Sequence, residues 1–173
     1  MRKKMLVITV LFLILAVFLT IKNIKAQTHV DNKAYDVMLS TLLKHSVPEI
    51  SVDSLQKNPN SLLLDTRAKP EFDVSHLQNA RWVGYDEFDL YVVDSLEKNT
   101  PIVVYCSVGY RSEKIAEKLV NAGFTDVQNL YGGIFEWVNN GYPIVDQQGM
   151  PTQKIHAYSK SWGVWLKKGE KVY

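Results

Sequence analysis

The sequence predicts an α/β fold: a mainly parallel five-stranded sheet flanked by helices on both faces, preceded by an extra N-terminal helix. Three observations predict it. From Glu49 onward, short apolar runs alternate with helical patterns, the order expected when crossover helices join parallel strands. The run Pro101-Ile-Val-Val-Tyr-Cys106 is β-branched and uncharged, as suits a strand covered on both faces. Shortly after it, Arg111 to Ala122 is amphipathic, with Ile115, Ala116, Leu119 and Val120 facing inward and Gly123 closing the helix.

The first 26 residues stand apart from this pattern. Arg2, Lys3 and Lys4 precede an uncharged apolar run from Met5 to Ile21, and Lys22 and Lys25 follow it. A basic segment ahead of an apolar stretch is the pattern of a secretory signal. The 17 residues of the run also reach the lower limit for a membrane span. A signal cleaved after Ala26 and an uncleaved anchor both fit, although Ile24 is a poor match to the small residue expected near a cleavage site. On either reading the positive residues stay inside, so everything beyond residue 26 is expected outside the cytoplasm, in a periplasmic or equivalent space.

Five of the 20 basic residues and none of the 18 acidic ones fall in residues 1–26, so the remainder carries a net charge of −3. No basic stripe remains, and a nucleic-acid partner is not expected. Residues 27–48 read as a helical extension. Ala34, Tyr35, Met38, Leu39, Leu42 and Leu43 are spaced for a helix between about Asp31 and His45, with Asp31 or Asn32 as its cap and Pro48 beyond its end.

The α/β pattern spans residues 49–146. Glu49 to Val52 is a weak strand and Asp53 to Lys57 a helical turn, ended by Asn58-Pro59-Asn60. Ser61 to Asp65 is a buried strand, and Ala80 to Gly84 a third candidate. Pro101 to Cys106 is the fourth, Val127 to Leu130 the fifth, and Ile134 to Asn140 a last short helix before Gly141. Residues 147–173 form a tail in which Tyr158, Trp162, Trp165 and Tyr173 are interleaved with Lys154, Lys160, Lys167, Lys168 and Lys171. Such a segment packs its aromatics back on the domain or offers them to a partner or membrane surface; packing is the expectation here.

Cys106 is the only cysteine, so the chain holds no internal disulfide. A lone cysteine is commonly buried filler, but its neighbours argue for reactivity. It ends the strongest strand, and in an open parallel sheet chemistry gathers beyond the C-terminal strand ends. The loop Ser107-Val108-Gly109-Tyr110 then leads into a helix, whose first amides and dipole make an anion cradle. Gly109 permits a left-handed turn, and Arg111 adds a cation. These surroundings favour thiolate over thiol. They suit either phosphoryl transfer or sulfur transfer.

Cys106-Ser-Val-Gly109-Tyr-Arg111-Ser112 resembles the active-site loop of the rhodanese (sulfurtransferase) family. Leu64-Asp65-Thr-Arg67, Glu71-Phe72 with His76-Leu77 and Ala80, and Leu130-Tyr-Gly132-Gly133-Ile-Phe-Glu-Trp137 resemble further family landmarks, in the family's order. Ser75 stands where the family has Gly before the histidine. The resemblance covers about Glu49 to Val145, leaving the extension and tail outside it.

The resemblance implies that Cys106 is the nucleophile and persulfide carrier. It also implies that the amides of residues 107–111 (Ser107, Val108, Gly109, Tyr110, Arg111) stabilise the anionic sulfur. Arg111 would orient an anionic donor, the alternative being a pair with Glu71 or Asp65. Asp65, Arg67, Glu71, His76 and Ser112 read as supporting residues: Asp65 bonding loop amides, Arg67 pairing with Glu71, and His76 fixing a loop. Gly132 and Gly133 are expected in a tight turn beside the active loop, and Trp137 in the core. His29, His45 and His156 are scattered, so no metal site is expected, nor any organic cofactor.

Two function classes remain beside a thiosulfate-type sulfurtransferase acting between a small anionic donor and a thiol or cyanide acceptor. A phosphatase is disfavoured, because Cys106 to Arg111 spans six residues where related phosphatases have seven. An exported persulfide carrier, or a module that binds a protein acceptor with little turnover, stays open. With no second cysteine, sulfur must leave to an external acceptor.

Overall fold

The computed structural model describes residues 28–173, so the signal or anchor expected over residues 1–26 lies outside the described residues. Five parallel strands form the central sheet: β1 (Glu49–Ile50), β2 (Leu62–Asp65), β3 (Arg81–Trp82), β4 (Ile102–Tyr105) and β5 (Val127–Leu130), in the order β1-β5-β4-β2-β3. The helices are α1 (Lys33–Leu42), α2 (Val52–Lys57), α3 (Lys69–Val74), α4 (Tyr110–Asn121) and α5 (Gly133–Asn139). A 3-10 turn, Leu90–Val93, lies between β3 and β4.

The central strand shows why the sheet is covered on both faces. Side chains alternate along a strand. Ile102 and Val104 pack with Ile115, Ala116 and Leu119 of α4, while Val103 and Tyr105 join Leu39, Ile134 and Phe135 on the opposite face. All four residues of β4 are at most 1% exposed. Burying an aliphatic side chain of this size contributes about 1.5–3 kcal/mol, so β4 anchors the sheet and fixes where Cys106 begins.

Helix α1 starts where Asn32 Oδ1 accepts the N–H groups of Ala34 (3.1 Å) and Tyr35 (3.0 Å), a side-chain cap. Ser51 caps α2 in the same way, through the Ser54 N–H. In α4, Val120 is 43% exposed rather than inward. Ser112, Ile115, Ala116 and Leu119 already complete the i, i+3, i+4, i+7 stripe, and the next residue turns about 100° out of it. Helix α3 and the strands of the tail were not anticipated from the sequence pattern.

Both segments outside the α/β pattern pack on it. In the C-terminal part, β6 (Ile144–Val145) pairs antiparallel with β7 (Pro151–Thr152), and β8 (Lys154–His156) pairs parallel with β9 (Glu170–Val172). Ile155, Ala157 and Leu166 are fully buried. Trp165 stacks on Tyr35 of α1 with ring centroids 5.4 Å apart, joining tail to extension. The extension is in turn tied to α4, because buried Glu113 accepts the N–H groups of Lys44 (3.0 Å) and Ser46 (3.1 Å).

Candidate active site

Cys106 follows β4 directly and is 2% exposed. The chain then turns at Gly109, whose φ of +114° lies in a region that side chains disfavour. That turn brings the Gly109 N–H to 3.1 Å from Cys106 Sγ, where it donates to the sulfur. Tyr110, Arg111 and Ser112 begin α4, so their amides have no acceptor within the helix. Ser112 Oγ lies 2.7 Å from Asn129 Oδ1, and Asn129 Nδ2 donates to the Gly109 carbonyl at 3.0 Å. This buried trio holds the loop to β5. Asn129, which the sequence reading did not single out, carries no signal of its own in the strand pattern.

The other side of the loop rests on Gly133. Ile134 N–H donates to the Cys106 carbonyl at 2.9 Å and Phe135 N–H to the Ser107 carbonyl at 3.1 Å. A Cβ on Gly133 would sit 2.4 Å from the Cys106 carbonyl oxygen, and the residue has a φ of +56°. The paired glycines therefore form the turn expected beside the loop, and Trp137 is in the core as expected. With these carbonyls engaged by α5, the loop is fixed around the sulfur from both sides.

Glu71 is the hub of the site's charges. It accepts two hydrogen bonds from Arg111, Nη1 to Oε2 at 2.7 Å and Nη2 to Oε1 at 2.9 Å, one from Ser107 Oγ at 3.0 Å and one from the Ala68 N–H at 3.0 Å. Arg111 Nη2 also donates to Ser107 Oγ at 3.0 Å. Burial pushes the Glu71 carboxyl up, but the Arg111 bonds and charge outweigh it and hold the group below its ordinary value. For Arg111, burial pulls down while the Glu71 hydrogen bonds and the charges of Cys106 and Glu71 push its basicity above the ordinary value. The structure shows the Arg111 pair with Glu71, and Arg111 also lies beside the Cys106 sulfur.

The expected partner of Arg67 is corrected. Arg67 bonds Asp65, Nη2 to Oδ2 at 2.6 Å with Nε 3.0 Å from Oδ1, in a wholly buried pair, while Glu71 is taken by Arg111. Asp65 does bond a loop amide as expected, accepting the Arg67 N–H at 2.9 Å in the loop that follows β2. The reason is reach: two residues on from a strand end, Arg67 folds back on Asp65 and donates onward to the Ser75 carbonyl. His76 does fix a loop, its Nδ1 lying 3.0 Å from the Phe72 carbonyl oxygen and its backbone pairing with Val145.

A cavity of about 580 Å³ opens onto the sulfur. Cys106, Ser107, Val108, Tyr110 and Arg111 line it, together with Glu71, Ala68, Tyr85, Asp86 and Glu87. Leu42 from the extension and Tyr158 and Trp162 from the tail complete it. The site brings together the expected loop, Glu71 and Ser112, with Asp65, Arg67 and His76 as scaffold behind it. The sequence reading missed Tyr158 and Trp162 as site residues; their interleaving with Lys was visible, their position was not. Among the described residues, no three His, Cys, Asp or Glu side chains gather to hold a metal ion.

Comparison with known proteins agrees with this geometry. A tRNA uridine(34) hydroxylase of Photorhabdus laumondii is 34% identical over 111 residues, 60% of this chain and 30% of that protein. The chain thus spans about a third of the length of the curated relatives it matches. Among solved structures, a rhodanese-like domain from an Anabaena species superposes with a TM-score of 0.54 at 25% identity, over 58% of this chain and 80% of that one. A rhodanese-related protein from Thermoplasma volcanium gives 0.51 at 27% identity, over 57% and 98%. The model of the rhodanese-like domain matches residues 51–140, which hold β2 to β5, the Cys106 loop and the Gly132-Gly133 turn against it, and the chain belongs to the rhodanese-like domain family.

Proposed function

We propose that this protein is a sulfurtransferase that moves a sulfane sulfur from a donor to a thiophilic acceptor through a persulfide on Cys106. The carrying observation is the sulfur itself, on a residue that lines the cavity, accepting the Gly109 N–H at 3.1 Å beside the start of α4. A terminal persulfide sulfur bears negative charge, and a loop whose Gly109 amide already donates to Cys106 at the start of α4 suits that charge as it develops. Arg111 and Glu71 hold Ser107 and so keep the loop in shape for both the free and the loaded cysteine. No other cysteine can resolve the persulfide within the chain, so acceptors enter through the same cavity. The hydroxylation in the relatives' name belongs to proteins of which this chain matches only about a third, and the proposal is confined to sulfur chemistry. It includes export, which the basic residues and apolar run of residues 1–21 support.

The test is intact mass and turnover of residues 27–173 with sulfane donors, thiosulfate and an organic persulfide among them, against Cys106→Ser. One added sulfur atom on the wild type alone, released by an acceptor with turnover, is the expected result. A stable adduct without turnover would favour a carrier awaiting a protein partner. No adduct with any donor would overturn the persulfide reading.

A further inference from the structure

We infer that the thiol partner of the Cys106 persulfide is an organic aminothiol with an apolar or aromatic body, rather than a small dianion such as thiosulfate; this rests on the persulfide reading above. The first observation is that both Nη atoms of Arg111 are already engaged, although its guanidinium also lies beside the Cys106 sulfur. Glu71 takes the fork of its two Nη atoms, Ser107 takes a further Nη2 hydrogen, and the ring of Tyr158 lies over the guanidinium at 5.3 Å from its centroid. The edge that would grip two oxygens of a sulfonate is spent on the protein's own carboxylate.

The second observation is the sign of the cavity. Against Arg111 stand Glu71, Asp86 and Glu87, a balance of two negative charges before any on the sulfur is counted. Asp86 and Glu87 are exposed, and among the described residues neither side chain has an ion pair. A dianion entering this cleft is repelled, whereas an ammonium is drawn in.

The third is shape. Tyr85, Tyr110, Tyr158 and Trp162 give the cleft aromatic walls, in a volume far beyond that of thiosulfate. Tyr158 holds a φ of +64°, and its N–H donates to His156 Nδ1 at 3.0 Å, a strained backbone that sets the ring over the site. Tyr158 and Trp162 lie beyond residues 51–140, so this wall belongs to the tail of this chain and not to the shared domain.

The chemistry needs no outside oxidant. The acceptor thiol passes its proton to the terminal sulfur of the Cys106 persulfide anion, its thiolate then attacks that sulfur, a new S–S bond forms, and the bond to Sγ breaks. Cys106 leaves with the electron pair as thiolate, and the proton stays on the transferred sulfur. Loading is the same step in reverse, from an organic persulfide.

The experiment loads Cys106 with an organic persulfide, removes the spent donor, confirms the adduct by mass, and follows its release to matched thiols. These are benzyl mercaptan, its para-aminomethyl and para-carboxylate derivatives, and 2-mercaptoethanol. We expect the cationic thiol to react about tenfold faster than the anionic one at low salt, converging as salt screens the cleft. Benzyl mercaptan should outrun 2-mercaptoethanol after correction for thiol pKa. Asp86→Asn with Glu87→Gln should collapse the charge order, and Tyr158→Ala with Trp162→Ala the preference for the ring, each read from the thiol concentration that gives half-maximal release. An anionic thiol reacting fastest, or no discrimination by charge and ring, would overturn the inference while leaving the persulfide reading intact. Failure to load with any donor would sink both.

Discussion

Gly133→Ala would test whether the active loop is held by the close approach of α5. The added methyl meets the Cys106 carbonyl oxygen at 2.4 Å and the Ser107 carbonyl carbon and oxygen at 2.7 Å, all backbone atoms that cannot rotate away. A side chain at a φ of +56° costs about 1–2 kcal/mol by itself. Moving the loop off α5 also weakens two backbone hydrogen bonds, Ile134 to Cys106 and Phe135 to Ser107, at about 0.5–1.5 kcal/mol each. The expected loss is therefore about 2–5 kcal/mol, a large part of the roughly 5–15 kcal/mol that stabilises a domain. Gly149→Ala is the control. Its φ is +74° and nothing lies within 4 Å of its Cβ position, so it should lose the strain alone. Urea unfolding midpoints give the stability difference, and mass-monitored sulfur loading of Cys106 gives the functional one. Gly133→Ala should fall below the control in both. Equal midpoints and equal loading would refute the claim that this contact shapes the loop.

Other consequences follow from the same contacts. Asp65→Asn removes one charge from a wholly buried pair and should cost about 3–5 kcal/mol in chemical denaturation, with Arg67 left uncompensated. Tyr35→Phe loses the 2.8 Å bond to the Gly132 carbonyl, which keeps the Glu136 N–H, so the expected cost is only about 0.5–1.5 kcal/mol. Glu71 has a pH signature. Because its folded carboxyl is held below the ordinary value of 4.5, its pairing stabilises the fold above that value and is lost as pH falls through the lowered one. The stability gap between wild type and Glu71→Gln should therefore shrink from about pH 6 to about pH 3, and a gap that stays constant would show that the charge is not what Glu71 contributes.

The α/β pattern was legible because its signals are local. The strand over Val127–Leu130 is found where the apolar run predicts it, and β4, α4 and α5 begin within about one residue of their expected starts. The Cys106 loop was legible for the same reason, since a strand end, a glycine turn and a helix start are adjacent in the chain. Partnerships were not. Whether Arg67 or Arg111 takes Glu71 depends on how α3 lies against the loop: Arg67 is four residues from Glu71 in sequence, yet Arg111, 40 residues away, is the partner. Val120 failed because the sequence shows an apolar residue near a stripe but not where the stripe ends.

By itself the sequence determined that a parallel sheet delivers a lone cysteine to a glycine-turned loop at a helix start, because each of those features is written in neighbouring residues. Only the tertiary structure decided what surrounds that cysteine. Leu42 and Trp162 lie 120 residues apart, yet both line the cavity. Arg111 is quenched by a carboxylate 40 residues before it. Such contacts come from packing the extension and tail against one folded domain, and no spacing along the chain encodes them.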